Sequence, residues 1–164
     1  LTGKLGNVMK ESIQCSFTAA IDFIKRNKEK YNFIENIDEH LKKNFPCGFH
    51  VHAPSTSTPK DGPSAGGAFS AAFVSRILHK KIRNDVALTG EIDLRGRITK
   101  IGGLNYKLIG ARKANIIKVL VPKENKDDIE EIGKNNPDLV NKFLKVVFVE
   151  KIDEIIEHIL LDWF

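Results

Sequence analysis

The stretch Thr58-Pro59-Lys60-Asp61-Gly62-Pro63-Ser64-Ala65-Gly66-Gly67 holds two prolines and three glycines in ten positions. It cannot continue a strand or a helix, so the backbone turns sharply and presents the Ser64 hydroxyl at the turn. Ala68, Ala71, Ala72, Val74, Ile77 and Leu78 then recur at helical spacing. Ser64 is therefore expected at or just inside a helix N-terminus, where free N–H groups and the helix dipole favour a developing oxyanion. The same residues also fit an N-cap serine with no chemistry. Lys107 is the second candidate. Leu104, Leu108 and Ala111 define the buried face of a helix from Leu104 to about Ala114, and Lys107 shares that face at i+3. Two readings compete: a lysine that snorkels to water, and a desolvated amine. Burial lowers a lysine pKa from its usual ~10.4, and a neutral amine beside a serine hydroxyl can take the proton as the oxygen attacks a carbonyl.

Other pairings of Ser64 fare worse. Gly62-Pro63-Ser64-Ala65-Gly66 matches the G-x-S-x-G nucleophile elbow, whose acid and histidine follow the serine. The only histidines downstream are His79 and His158. His79 follows on the same helix, about 22 Å away at 1.5 Å per residue, and His158 lies on the polar side of the last helix. A phosphate-binding loop is excluded because no Lys-Ser/Thr pair follows Gly62.

The elements that must carry these residues follow from periodicity. A long amphipathic helix spans Gly6 to about Arg26, with Val8, Ser12, Cys15, Ala19 and Phe23 on one face. Residues 27–44 fit a short helix plus a loop. Phe49, Val51 and Ala53 alternate with His50 and His52, the pattern of a strand ended by Pro54. The helix from Ser64 to about His79 is apolar or small nearly all round, so it is expected to be buried. Asp85–Leu94 and Ile98–Ile101 read as a hairpin about Arg95-Gly96-Arg97. A helix from Leu104, a strand Ile117–Val121 stopped by Pro122, a short helix Asp127–Ile132 and a strand Val146–Val149 follow. Ile152, Ile155, Ile156, Ile159 and Trp163 fall on one face of a last helix. Strands alternating with helices, plus a hairpin, give an α+β or α/β fold without repeats or linkers.

With 164 residues, 41% hydrophobic and 29% charged, the chain fits one globular domain, and no apolar run approaches the ~20 residues of a membrane helix. The net charge of +5 and pI of about 9.2 raise nucleic acid as a partner. Most lysines, however, are interleaved with acids, as in Lys123-Glu124-Asn125-Lys126-Asp127-Asp128, the mark of a solvated face. His79-Lys80-Lys81-Ile82-Arg83 reads first as a helix C-terminus. Cys15 and Cys47 make neither a disulfide framework nor a zinc site, which favours a reduced, intracellular compartment. The first residue is Leu1, with nothing resembling a signal peptide, so a fragment or processed form is expected.

Pro59-Lys60-Asp61-Gly62-Pro63-Ser64-Ala65-Gly66, Leu88-Thr89-Gly90-Glu91-Ile92, Leu94-Arg95-Gly96-Arg97 and Ile101-Gly102-Gly103-Leu104 to Lys107-Leu108 resemble the C-terminal proteolytic domain of Lon, the ATP-dependent serine protease. Leu1-Thr2-Gly3, Leu5-Gly6, Val8 to Ser12 and Val121 to Asn125 extend the resemblance over nearly the whole chain. It implies an α+β fold of helices packed on a mixed sheet, and a Ser-Lys dyad with Ser64 as nucleophile and Lys107 as general base. In proteins similar to this one a threonine matching Thr89 contacts the lysine, and residues matching His52 and Asp61 border the site. Amides at the start of the Ser64 helix are the expected oxyanion donors.

The resemblance further implies unfolded or damaged protein substrates, a homo-hexameric ring and a cytoplasmic setting, with the mitochondrial matrix as the alternative. It implies no cofactor in this domain, with ATP and Mg held by an AAA+ module that this chain does not contain. DNA binding is known in the family, but no residue here assigns it to this domain, and no membrane is implied. A non-catalytic assembly or nucleic-acid-binding module with an occluded site is the alternative function. The chain departs from the family pattern at Ser55-Thr56-Ser57, where an acidic-Gly pair is common, and at Asn105-Tyr106, where a more charged pair is usual. The family's domain also has strands before the Leu-Thr-Gly segment with which this chain begins, so strands are expected to be missing from the sheet.

Overall fold

The computed structural model describes residues 1–140 and 144–161. Helix α1 (Asn7–Arg26) buries Met9, Ile13, Ser16, Ala20, Phe23 and Ile24. Val8 is 47% exposed, so the buried stripe is rotated from the one expected through Val8 and Cys15. The row through positions 9, 13, 16, 20 and 24 keeps the helical period and carries larger apolar groups at Met9, Ile13 and Ile24. Helix α2 (Ile37–Asn44) starts at Asn36, whose side chain accepts from the Asp38 amide at 2.9 Å. Helix α3 (Gly66–Leu78) packs on α1, with Phe73 meeting the edge of Phe17 at 5.2 Å between ring centroids. It is not buried all round as expected, since Ala72 and Arg76 face solvent. Ala72 carries too little apolar area to demand cover, and Arg76 is charged, its guanidinium lying 5.2 Å from the centroid of the Phe45 ring.

Strands β1 (Val86–Leu88), β4 (Lys118–Pro122) and β5 (Lys145–Val149) form a parallel sheet in the order β1-β4-β5, with Ala87 opposite Val119 and Val119 opposite Val146. A separate antiparallel pair joins β2 (Glu91–Ile92) to β3 (Ile98–Thr99). The parallel sheet is covered on both faces. Leu120 belongs to the core shared by α1, α3 and α6 (Ile152–Ile159). Val119 and Val121 alternate to the opposite face, against Leu104, Leu108 and Ala111 of α4 (Leu104–Lys113) and Ile129 of α5 (Lys126–Asn135). The α+β architecture is thus two helical layers about a short parallel sheet, with a hairpin at one side.

Two expected strands are corrected. The run 85–94 is two strands in two sheets. Thr89 N–H donates to Leu120 O at 3.1 Å and Gly90 N–H to Ser64 O at 2.8 Å, so the chain leaves the first ladder to hold the Ser64 turn. The segment 49–53 forms only a bridge between Thr2 and His52, because Gly3 (φ +120°) and Lys4 (φ +56°) turn the partner segment away. Its expected sidedness holds: Phe49 and Val51 pack on the core while His50 and His52 are exposed. Ile152, Ile155, Ile156 and Ile159 are buried on α6 as expected, and Trp163 lies outside the described residues.

Candidate active site

Gly62 (φ +106°) and Pro63 bring the chain into the turn, and Ala65 is the N-cap of α3. Ser64 therefore stands just outside the helix, not in it, and its side chain caps nothing. The turn is held from the β side: Ser64 O accepts from Gly90 N–H at 2.8 Å and from the Thr89 hydroxyl at 3.2 Å, while Gly67 N–H donates to Gly90 O at 3.1 Å. On α4, the sequence Gly102-Gly103 stops β3's continuation and Gly103, at φ +70°, becomes the N-cap. One turn later Lys107 extends from between buried Leu104, Leu108 and Ala111 towards the end of β1.

The Lys107 ammonium nitrogen lies 2.9 Å from Ser64 Oγ and 3.1 Å from Thr89 Oγ1. Burial alone pushes its pKa below the usual lysine range. Among the described residues no carboxylate pairs with it. Desolvation therefore acts without an opposing counter-ion. Thr89, 7% exposed, accepts from Lys107 while its own proton is directed to the Ser64 carbonyl. An amine held this way keeps one N–H on Thr89, leaving its lone pair free to face the Ser64 hydroxyl once the ammonium is deprotonated.

A cavity of about 410 Å³ opens beside the pair, walled by Ala65, Ala87, Leu88, Ala111, Ile116 and Val119. Its walls are apolar and its polar groups converge at one edge, on Ser64, Thr89 and Lys107. The amides expected as oxyanion donors are partly spent, since Gly66 N–H donates to Pro63 O at 3.0 Å and Gly67 N–H to Gly90 O. That expectation is corrected in part: the Gly66 amide is closed within the turn, and the Gly67 amide is taken by the segment between β1 and β2.

Of the five residues singled out in the sequence, Ser64, Lys107 and Thr89 meet directly. Asp61 instead turns towards α1, where its Oδ1 accepts from Met9 N–H and Gly62 N–H, both at 2.8 Å. There its carboxylate serves as a remote cap for the helix N-terminus, and the Met9 and Gly62 amides hold its pKa below the usual range. His52 Nδ1 lies 2.7 Å from Thr2 Oγ1, which also meets His50 Nε2 at 2.8 Å. His79 is the C-cap of α3, stacked on Phe45, far along the helix from Ser64.

Sequence reasoning passed over Lys60 and Thr2. The Lys60 ammonium donates to the carbonyls of Gly3, Ser55 and Thr58, and Gly6 N–H donates to Lys60 O at 2.7 Å. The loop before Ser64 is thereby fastened to residues 2–6. A lysine between Pro59 and Asp61 in a tight turn was the available signal, since three donors beside exposed turn carbonyls invite such bonds. Asn105 and Tyr106 do not face Ser64; they line a groove of about 500 Å³ between the start of α4 and α5. Among the described residues there is no cluster of three or more His, Cys, Asp and Glu suited to a metal, and no helix long and apolar enough to cross a membrane.

The family model of the Lon protease (S16) C-terminal proteolytic domain matches residues 1–162. A Lon protease homolog of Acanthamoeba polyphaga mimivirus is 47% identical over 156 residues, covering 95% of this chain and 14% of the relative. The Lon protease of Haemophilus influenzae is 44% identical over 155 residues, 94% of this chain and 18% of the relative. That of Nitratidesulfovibrio vulgaris is 41% identical over 161 residues, 98% of this chain and 18% of the relative. The chain spans less than a fifth of the length of these relatives.

Proposed function

From the premise that this chain belongs to the Lon protease C-terminal proteolytic domain family, we propose that it is the peptide-bond-cleaving part of a longer protein, with Ser64 as nucleophile and Lys107 as general base. The observation that carries the reading is the 2.9 Å contact between a half-buried, uncompensated lysine nitrogen and a serine hydroxyl. In the neutral state Lys107 accepts the Ser64 proton as Oγ bonds to the substrate carbonyl carbon and the carbonyl π pair moves onto its oxygen. The tetrahedral intermediate collapses as the C–N bond breaks, and the Lys107 ammonium returns that proton to the leaving amine. Water then attacks the acyl-enzyme, with Lys107 again taking and returning a proton, to release the carboxylic product and restore Ser64. Thr89 orients the amine throughout.

With the Gly66 and Gly67 amides engaged, oxyanion stabilisation falls in this reading to the amides of Ser64 and Ala65, which lie on the near side of the turn. The apolar cavity supports a preference for an aliphatic or aromatic residue on the acyl side of the cut, since a charged one would be desolvated there without a partner. Asp61 and His52 act on the frame of the site. The protein substrates, the ring of six copies and the coupling to ATP belong to the longer protein. In this reading ATP and Mg are held by the AAA+ module of the longer protein. The open cavity at the dyad weighs against an occluded, non-catalytic module.

The test is hydrolysis of unstructured fluorogenic peptides with leucine or lysine on the acyl side of the cut, by wild type, Ser64→Ala and Lys107→Ala. Both substitutions are expected to abolish cleavage, and the wild type is expected to favour leucine by ~10-fold or more. Cleavage that survives Lys107→Ala removes the dyad.

A further inference from the structure

Three serines are buried between α1 and α3. Ser12 is 8% exposed and Ser16 and Ser70 are wholly buried. Alanine would serve sterically at this crossing, as Ala19, Ala20 and Ala71 do beside them. Burying a hydroxyl is unfavourable unless it is satisfied, so the partners are informative. Ser16 Oγ lies 3.0 Å from Gly66 O and 2.6 Å from Ser12 O. Ser70 Oγ lies 3.0 Å from the same Gly66 O and 3.3 Å from Ser16 O. Ser12 Oγ donates to Pro63 O at 3.3 Å. Two of the receiving carbonyls, Pro63 and Gly66, flank the Ser64-Ala65 dipeptide on either side.

We propose that Ser16 and Ser70 are positioning residues for the nucleophile, holding the start of α3, and with it the Ser64 turn, in register with α1 through the Gly66 and Ser16 carbonyls. The β side of the turn is pinned by Gly90 and Thr89; the α1 side is pinned by two bonds that cross between the helices, Ser16 Oγ to Gly66 O and Ser70 Oγ to Ser16 O. Each hydroxyl has one proton to give. Without the Ser70 hydroxyl, Ser16 still donates across to Gly66 O; without the Ser16 hydroxyl, Ser70 still donates across to the backbone carbonyl of residue 16. The arrangement is redundant by construction. Removing both donors leaves a crossing of similar volume with Ser12 on Pro63 O as its remaining hydroxyl link, which keeps the helices packed and loosens the direction imposed on the turn. A displacement on the order of 1 Å at the nucleophile is worth up to ~100-fold in rate.

The inference rests on Ser64 and Lys107 as the reacting pair. It is tested in the intact protein that carries this chain, by peptide hydrolysis per active site titrated with a serine-directed phosphonate. Ser16→Ala, Ser70→Ala, the double variant and Ser64→Ala are compared, with hydrogen exchange of α1 and α3 amides as the fold check. Each single variant is expected to lose about threefold or less in kcat, and the double ~10-fold or more, with KM within about twofold and the α1 and α3 amides still protected. A double variant within about twofold of wild type in kcat overturns the proposal. So does a kcat loss accompanied by loss of that protection, because the serines are then only packing. Cleavage surviving in Ser64→Ala strikes instead at the reading on which the proposal rests.

Discussion

Thr89→Val isolates the role of one hydroxyl in the proposed dyad. The side chain is 7% exposed and nearly isosteric with valine, so no cavity is opened. Two bonds are lost: acceptance from Lys107 at 3.1 Å and donation to Ser64 O at 3.2 Å. Ser64 O keeps Gly90 N–H at 2.8 Å, so the folding cost is limited to about 1 kcal/mol. The rate is affected more. Without Thr89 the amine is free to rotate its lone pair away from Ser64, and a loss of ~10–100-fold in kcat is expected, about 1.4–2.7 kcal/mol on the barrier.

The pH dependence has a definite sign. An acceptor favours the protonated amine, so its removal leaves desolvation less opposed and lowers the Lys107 pKa further. The acid limb of kcat/KM is therefore expected to move to lower pH while the plateau falls. The assay is the pH profile of peptide hydrolysis for wild type and Thr89→Val, with denaturant unfolding as the stability control. A plateau within about twofold of wild type, or a limb that moves to higher pH, refutes the reasoning.

Lys107→Met removes a cation that the folded state holds below its ordinary pKa. Because the unfolded chain binds that proton more readily, wild-type stability rises with pH between the folded pKa and ~10.4. The methionine variant is expected to be inactive yet more stable than wild type at neutral pH, which thermal melting at several pH values checks. Asp61 is the opposite case: its folded pKa is depressed by the Met9 and Gly62 amides. Its contribution is present above the unfolded value of ~3.9 and lost as pH falls through the lower folded value, so Asp61→Asn should melt earlier at pH 7 and show a shallower acid transition. Gly66→Ala places a β-carbon 2.8 Å from Ile92 Cγ2 and 2.9 Å from Ile92 N. A backbone atom cannot yield cheaply, so a loss of about 1–3 kcal/mol is expected, read by urea unfolding together with reduced peptide cleavage.

The residues proposed to do chemistry were legible because local rules constrain them. A turn of prolines and glycines ahead of a small-residue helix exposes Ser64, and a 3.6-residue period puts Lys107 on the buried face of α4. Both are short-range consequences of backbone sterics and helical geometry, as are the type and rough extent of α1, α3, α4 and α5. The tertiary structure alone decided the partners. Thr89-Gly90-Glu91 marks an interruption in the run 85–94 but does not say where the chain goes; the split into two sheets arises when Gly90 donates to a carbonyl 26 residues earlier in the chain, at Ser64. Nor does alternation at Phe49–Ala53 reveal that its neighbouring segment turns away after one bridge at Thr2. Asp61, Lys60, Ser16 and Ser70 look in sequence like ordinary turn, surface or small helical residues. Their roles come from carbonyls and amides that only long-range packing brings within reach, since a hydrogen bond depends on where its partner lies in space and leaves no periodic trace in the chain.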